Sequence, residues 1–241
     1  MFHHFSISQY STQNLRIWFL LAFQAGLLNI GGLLITGNFI SHVTGFVTFF
    51  GHHLVLGKWS SALGMLNVPI FFLIGTMVSG YFIDLRIRTG KKPRYVVTFG
   101  LMFVLIFAVF FLGVMGEWGG FEYQILKDEK YWALIILCFV CGIQNATITT
   151  VSKSVVRTTH LTGIVTDLGI GIITTFFNAA PAEEKKLNFM RIGIVTFFIL
   201  GSVVGAFFYT KFLYWGFLLP TLIAGFLLGL MIIQARNEEI I

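Results

Sequence analysis

Two short stretches carry the residues best able to do chemistry: His42-Val43-Thr44-Gly45 and His160-Leu161-Thr162-Gly163. An asparagine precedes each, Asn29 and Asn145, the second of them beside Gln144. An imidazole, a hydroxyl and an amide held together can hydrogen-bond a carbonyl or an anion from several sides. Thr44 and Thr162 would each serve as the N-cap of a helical piece, and Gly45 and Gly163 would let a ligand or a neighbouring backbone come close. A helix start with free N–H groups and a positive dipole end suits an anionic or carbonyl-bearing solute. Asp167 is the only acid within an apolar stretch. A carboxylate there can bind a cation, or carry a proton if burial raises its pKa. Packing roles compete for every one of these groups. Asn and Thr can satisfy broken backbone, the histidines can be solvated at an interface, and Asp167 can pair with Lys153, Arg157 or a histidine.

Other chemistry finds little support. Cys138 and Cys141 form a CxxC inside the apolar run "YWALIILCFVCGIQNA". Zinc would need further ligands, and two small apolar side chains one turn apart is the simpler reading. His52 and His53 are adjacent, so on a helix they point about 100° apart and make a poor metal pair. No H-E-x-x-H, nucleophile–base pair or G-x-x-x-x-G-K-[ST] stretch occurs, which argues against an intramembrane enzyme and against direct ATP coupling through this chain. A basic stripe interleaved with aromatics, as nucleic acid would need, is absent. No cofactor or metal is implied.

The elements that must position these residues are membrane helices. Of 241 residues, 56% are hydrophobic and only 11% charged; soluble domains carry about 25% charged residues. Lipid must therefore be the solvent for most of the surface, and the chain reads as a single multi-pass membrane domain over 1–241. A helix needs roughly 20 apolar residues to cross a hydrocarbon core about 30 Å thick. Six segments meet that length: 17–37, 61–83, 95–116, 131–150, 190–210 and 212–234. The first is too long for a signal h-region and no A-x-A-like site follows it, so it reads as a retained anchor. Segments 42–57 and 160–178 are shorter and polar, and each is either a short span or a half-helix that enters and leaves on one side, giving up to eight spans. Loop 84–94, with Arg86, Arg88, Lys91, Lys92 and Arg94 against Asp84, should be cytoplasmic.

The chain also repeats itself. Gly26 and Asn29 match Gly142 and Asn145; His42, Thr44, Gly45, Thr48 and Gly51 match His160, Thr162, Gly163, Thr166 and Gly169. "FFLIGTMVSGYF" (71–82) resembles "FFILGSVVGAFF" (197–208), setting Gly75-x-x-x-Ser79 against Gly201-x-x-x-Gly205. These small residues read best as close helix crossings. The repeats would run over 17–116 and 131–234. With three full crossings in each, the second is inverted relative to the first, a recurring plan of secondary transporters with the substrate site at the repeat interface. With four in each, they are parallel. Trp59, Trp118, Trp132 and Trp215, near segment ends, read as interfacial anchors.

The small-residue "AG-x-x-[DN]", the following "H-x-TG" and the later "GIQNA" (142–146) and "TTHLTG" (158–163) resemble the YoaK family of bacterial integral membrane proteins, whose domain is catalogued as of unknown function, number 1275. The resemblance covers roughly 17–234 and implies the bacterial inner membrane. Family members usually carry aspartate where this chain has Asn29, and often "TGN" where it has Thr44-Gly45-Phe46. The natural proton-coupling carboxylate of that position is thus an amide here. The family implies no substrate. The sequence favours a secondary transporter or permease for a small solute, with the lipid bilayer and the solute as partners and a homodimer possible. The rivals are a homo-oligomeric channel and a non-transporting membrane scaffold or sensor.

Overall fold

A computed structural model describes residues 12–120, 128–151, 161–177 and 182–239. All regular structure among them is helical: α1 Thr12–Thr36, α2 Val43–Val55, α3 Trp59–Ser79, α4 Leu85–Arg88, α5 Tyr95–Val114, α6 Asp128–Val151, α7 Leu161–Phe176, α8 Ala182–Phe212 and α9 Leu218–Glu239. A π turn, Gly80–Asp84, joins α3 to α4, and a 3-10 turn, Leu213–Phe217, joins α8 to α9. Five helical runs are long and apolar enough to cross a membrane: Leu15–Thr36, Trp59–Arg88, Tyr95–Val114, Lys130–Thr150 and Glu184–Asn237. The last has 54 residues, which would extend about 80 Å if straight, more than twice a hydrocarbon core. It is not straight. Leu213, at φ 53°, and the 3-10 turn break it into α8 and α9.

The chain reverses at that break. Along α1, Phe23 and Gly26 face Gly201 and Phe198 of α8, and further on Gly31 faces Tyr209, so α1 and α8 run the same way. Gly31 also faces Phe217, while the earlier Gln24 donates to the Pro220 carbonyl at 3.2 Å, so α9 runs back. In α3 and α6 the pairing climbs together, from Tyr131 Oη on the Gly64 carbonyl to Ser79 Oγ against Thr147 Oγ1 at 2.9 Å. α5 and α9 are antiparallel, with Gly100 facing Leu228 and Gly113 facing Tyr214. Two buried clusters mark the ends of the bundle. One gathers Leu15, Leu21, Phe99, Ile148, Ile194 and Met231; the other includes Leu28, Ile35, Val109, Leu134, Tyr209 and Phe217. Helices α1, α5 and α8 therefore run one way, and α3, α6 and α9 the other.

The principal contacts are α1 with α8, α3 with α6, α5 with α9, α2 with α3 and α7 with α8. Glycine permits the first two. A Cβ added at Gly26 would collide with the Phe198 carbonyl, and one at Gly201 with the Phe23 carbonyl. On the other pair, Gly142 meets the Phe72 carbonyl and Gly75 the Phe139 carbonyl. Backbone thus touches backbone at each crossing, which is where dispersion supplies helix association in lipid. The outer surface is apolar, with Met77, Val104, Ile170, Val203 and Phe226 all exposed. Trp59, Trp132 and Trp215 are exposed too, as interfacial anchors would be. Trp118 departs from that reading: it is buried and its Nε1 donates to the Val109 carbonyl at 3.0 Å, so it closes the end of α5.

The two weak segments form the short helices α2 and α7. α1 stops because Gly37 takes φ 70° and its N–H returns to the Leu33 carbonyl at 2.8 Å. The chain then doubles back along α1: Ile40 packs on Gly32, and Ser41 Oγ donates to Asn29 Oδ1 at 3.1 Å. From there α2 starts, and Gly57 at φ 71° turns the chain into α3, on which α2 packs. α7 packs on α8, where Gly171 abuts Asn188, and Asn188 Nδ2 donates to Thr175 Oγ1 at 3.1 Å.

Candidate functional site

A cavity of about 810 Å³ lies where α1, α3, α6 and α8 meet the starts of α2 and α7. α1 contributes Asn29, and α6 contributes Asn145 and Thr149. The connector 37–42 contributes Phe39, Ser41 and His42, and the first turns of the short helices contribute Val43, Thr44, Leu161 and Thr162. α3 supplies Pro69, Phe72 and Thr76, and α8 supplies Phe198. Among the described residues, five of the sequence candidates line this one space: Asn29, His42, Thr44, Asn145 and Thr162.

The two asparagines differ in their bonding. Asn29 Oδ1 accepts the Ser41 hydroxyl, an anchor that also holds the connector against α1. Asn145 Oδ1 is buried and has no hydrogen-bond partner among the described residues. A buried amide oxygen left unpaired costs about 1–3 kcal/mol, so this acceptor is a feature to be explained. Thr159, which precedes His160 as Ser41 precedes His42, lies outside the described residues, as does His160.

Both short helices present their starts to the cavity. In α2 the N–H groups of Gly45 and Phe46 return to the His42 carbonyl at 3.0 and 3.3 Å. The opening amides at Val43 and Thr44 precede the first possible intrahelical bond. His42, not Thr44, occupies the N-cap position, and it makes no side-chain cap bond. Thr44 sits one residue into the helix because the turn from Phe39 brings the chain into helical geometry at Val43. Thr48 Oγ1 donates to the Thr44 carbonyl and Thr166 Oγ1 to the Thr162 carbonyl, each at 2.9 Å. Gly45 leaves room for the histidine: a Cβ there would stand 2.5 Å from His42 Nδ1.

Besides Gly45, three described candidates do not line the cavity. Gln144 is buried and its Nε2 donates to the Leu21 carbonyl at 2.9 Å, linking α6 to α1. One residue along a helix turns the side chain about 100°, so Gln144 and Asn145 face different neighbours. Asp167 is exposed on α7 and does not line the cavity. Gly163 is in the first turn of α7 and is not among the lining residues. Cys138 and Cys141 are both buried in the packed face of α6.

Several wall residues escaped sequence reasoning. Phe72 and Phe198 occupy matching places in "FFLIGT" and "FFILGS", and that match was the signal available for them. Thr76 and Pro69 had none, since a threonine and a proline in an apolar helix look the same on any face. Pro69 removes one donor from the α3 ladder at the cavity wall.

Among the described residues, the lining set is hydroxyls, amides, the His42 imidazole and apolar side chains, with no lysine, arginine or carboxylate. Such a space can hold a small polar solute by hydrogen bonds, with the start of α2 favouring a carbonyl or a negative charge.

A family model described as a protein of unknown function (DUF1275) matches residues 17–232. No curated protein and no solved structure matches the chain significantly.

Proposed function

The chain belongs to this family of proteins of unknown function (DUF1275), and we propose that it is a secondary transporter or permease for a small solute bearing a carbonyl or anionic group. The observation that carries the reading is the cavity itself, lined from both halves of the chain by Asn29 with Asn145 and by Thr44 with Thr162. Polar groups in a membrane interior are costly, and by default they face a cavity or pair.

The architecture we propose is a pair of inverted repeats of three crossings each. Exchanging the halves maps α1 on α8 into α6 on α3, and α2 on α3 into α7 on α8, while α5 on α9 maps onto itself. The glycine crossings follow the same exchange, Gly26 with Gly142 and Gly201 with Gly75. The opposed directions of α1 and α6 support inversion over parallel repeats. The return of 37–42 along α1 supports α2 as a half-helix that starts near mid-depth and leaves on the side it entered; α7 is its counterpart. Loop 84–94 and both termini then share a side, which its positive charge assigns to the cytoplasm of a bacterial inner membrane. Discontinuous helices pointing their starts at a midplane site are a transporter device.

Asp167 is left out of the solute site by its position. Coupling through it would require a second state that brings α7 inward.

The test is flux. Solutes that raise the melting temperature of the purified protein are carried into proteoliposomes, and uptake is compared between the wild type and Asn29→Ala with Asn145→Ala. The proposal expects saturable uptake and exchange, with a loss of at least about tenfold in the variant, the effect of removing hydrogen bonds worth about 1.4 kcal/mol. Unchanged flux in the variant refutes the site, and non-saturating flux without exchange identifies a channel.

A further inference from the structure

His42 is the one titratable side chain among the described residues that line the solute cavity. It is exposed, and its ring nitrogens make no hydrogen bond among the described residues. Phe39 meets the ring edge-on, with centroids 6.3 Å apart. Gly45 keeps the place open, since a Cβ there would stand 2.5 Å from Nδ1. The imidazole is thus given room on the cavity wall, yet it caps no helix and ties no elements together.

Other titratable groups stand apart from it. The lining residues of α1, α3, α6 and α8 are amides, hydroxyls and apolar side chains. On α2, His52 and His53 sit at the far end, about 15 Å along the helix. On α7, Asp167 is exposed and off the cavity wall. Lys153, Arg157 and His160 precede α7 and lie outside the described residues.

We infer that the cavity binds a small monocarboxylate together with one proton, which the His42 imidazole takes up; this rests on the solute reading of the same cavity. An imidazole is the side chain that gains or loses charge between about pH 5 and 8. A proton arriving alone would set an imidazolium at the start of α2, the positive end of the helix dipole. A carboxylate arriving alone would leave water for a space walled in part by Phe39, Phe72, Leu161 and Phe198, at a high desolvation cost. Arriving together they make a neutral pair, joined by a charge-assisted hydrogen bond, with the opening amides of α2 as further donors to the carboxylate. Each strengthens the binding of the other, which is the condition for coupling. One proton and one anion enter, so the loaded site carries no added charge.

Thermal denaturation of the purified full chain in neutral detergent tests the assignment, with glycolate, lactate, pyruvate or uncharged lactamide added at matched ionic strength. Melting temperatures are read at several values between about pH 5.5 and about pH 8, the range in which an imidazole changes charge. The apparent affinity for a carboxylate should fall about tenfold per pH unit in the upper part of that range, the slope for one proton bound with each anion. Lactamide should show no such slope. His42→Gln should flatten it, and His52→Gln, far along α2, should leave it unchanged. Gly45→Ala, which presses a methyl on the same ring, should weaken the carboxylate response and decides the matter if His42→Gln does not fold. The assignment is overturned by no response to any of the carboxylates, or by a response equal across the range, as a permanent cation such as Arg157 would give. It is also overturned by a slope shared with lactamide, or by one that survives His42→Gln, as it would if His160 took the proton. Because the readout is equilibrium binding, a flat slope leaves the flux test of the asparagines standing. Unchanged flux in that variant refutes transport and leaves the slope standing.

Discussion

Asn29 and Asn145 line the same cavity, yet Asn29 Oδ1 is bonded to Ser41 at 3.1 Å while Asn145 Oδ1 is buried without a partner among the described residues. Their truncations should therefore differ in kind. Asn29→Ala removes a bond that holds the connector 37–42 and should cost about 1 kcal/mol of stability. Asn145→Ala removes an acceptor with no partner among the described residues and should leave stability within about 0.5 kcal/mol, while still reducing flux. Denaturation of the two variants in the same detergent checks this. A larger stability loss in Asn145→Ala would show that its role is packing.

The glycine crossings give a sharper structural prediction. Gly26→Val and Gly142→Val push a branched side chain against a carbonyl oxygen on the facing helix, of Phe198 and Phe72 respectively. Each should destabilise by about 1–3 kcal/mol or more, the usual cost of overpacking. Gly229→Ala meets nothing within 4 Å and should gain about 0.5–1 kcal/mol from lower backbone entropy in the unfolded chain. Melting temperatures of the three variants decide it, and similar behaviour at all three would contradict the crossing geometry.

A hydrogen-bond cycle probes the α3–α6 pair. Ser79 Oγ and Thr147 Oγ1 lie 2.9 Å apart and are buried. Ser79→Ala and Thr147→Val should each destabilise, and together by less than their sum, with a coupling of about 0.5–1 kcal/mol. Additive losses would mean that the two hydroxyls do not stabilise each other. In the proposed repeat the corresponding places on α1 and α8 are Gly31 and Gly205, so that crossing relies on close approach where this one uses a polar bond.

Sidedness follows from the proposed crossing of α3 and the basic loop 84–94. With Cys138 and Cys141 replaced by alanine, a cysteine at Lys58 should react with an impermeant thiol reagent from outside intact cells. One at Thr89 should react only after permeabilisation. Protection at both sites, or access to both, contradicts a crossing by the run Trp59–Arg88, which these two positions flank.

Much of this was legible in the residues, and the reasons for the rest are physical. Hydropathy located the long apolar runs, five of them among the described residues where the sequence suggested six segments, because lipid accepts only long apolar helices. It flagged α2 and α7 because polar residues interrupt them. The doubled motif singled out Asn29, His42 and Thr44 with Asn145 and Thr162, and all five line one cavity. What stayed hidden was rotation about a helix. Gln144 and Asn145 are both amides in the same motif, yet one bonds the Leu21 carbonyl and the other faces the cavity. Asp167 was prominent as an acid in an apolar stretch, but no periodicity in its surroundings set which face it took. Trp118 looked like an anchor by position, and only the fold showed its indole turned inward onto Val109.

The central claim is that the doubled polar joint lines a solute path open to water. The most direct measurement is the reaction of Asn145→Cys in proteoliposomes with a small, charged thiol reagent, beside the native Cys138 and Cys141, both buried. The account predicts that the introduced cysteine is modified while the two native ones stay unmodified. An introduced cysteine as inert as Cys138, from either side of the membrane, would contradict it.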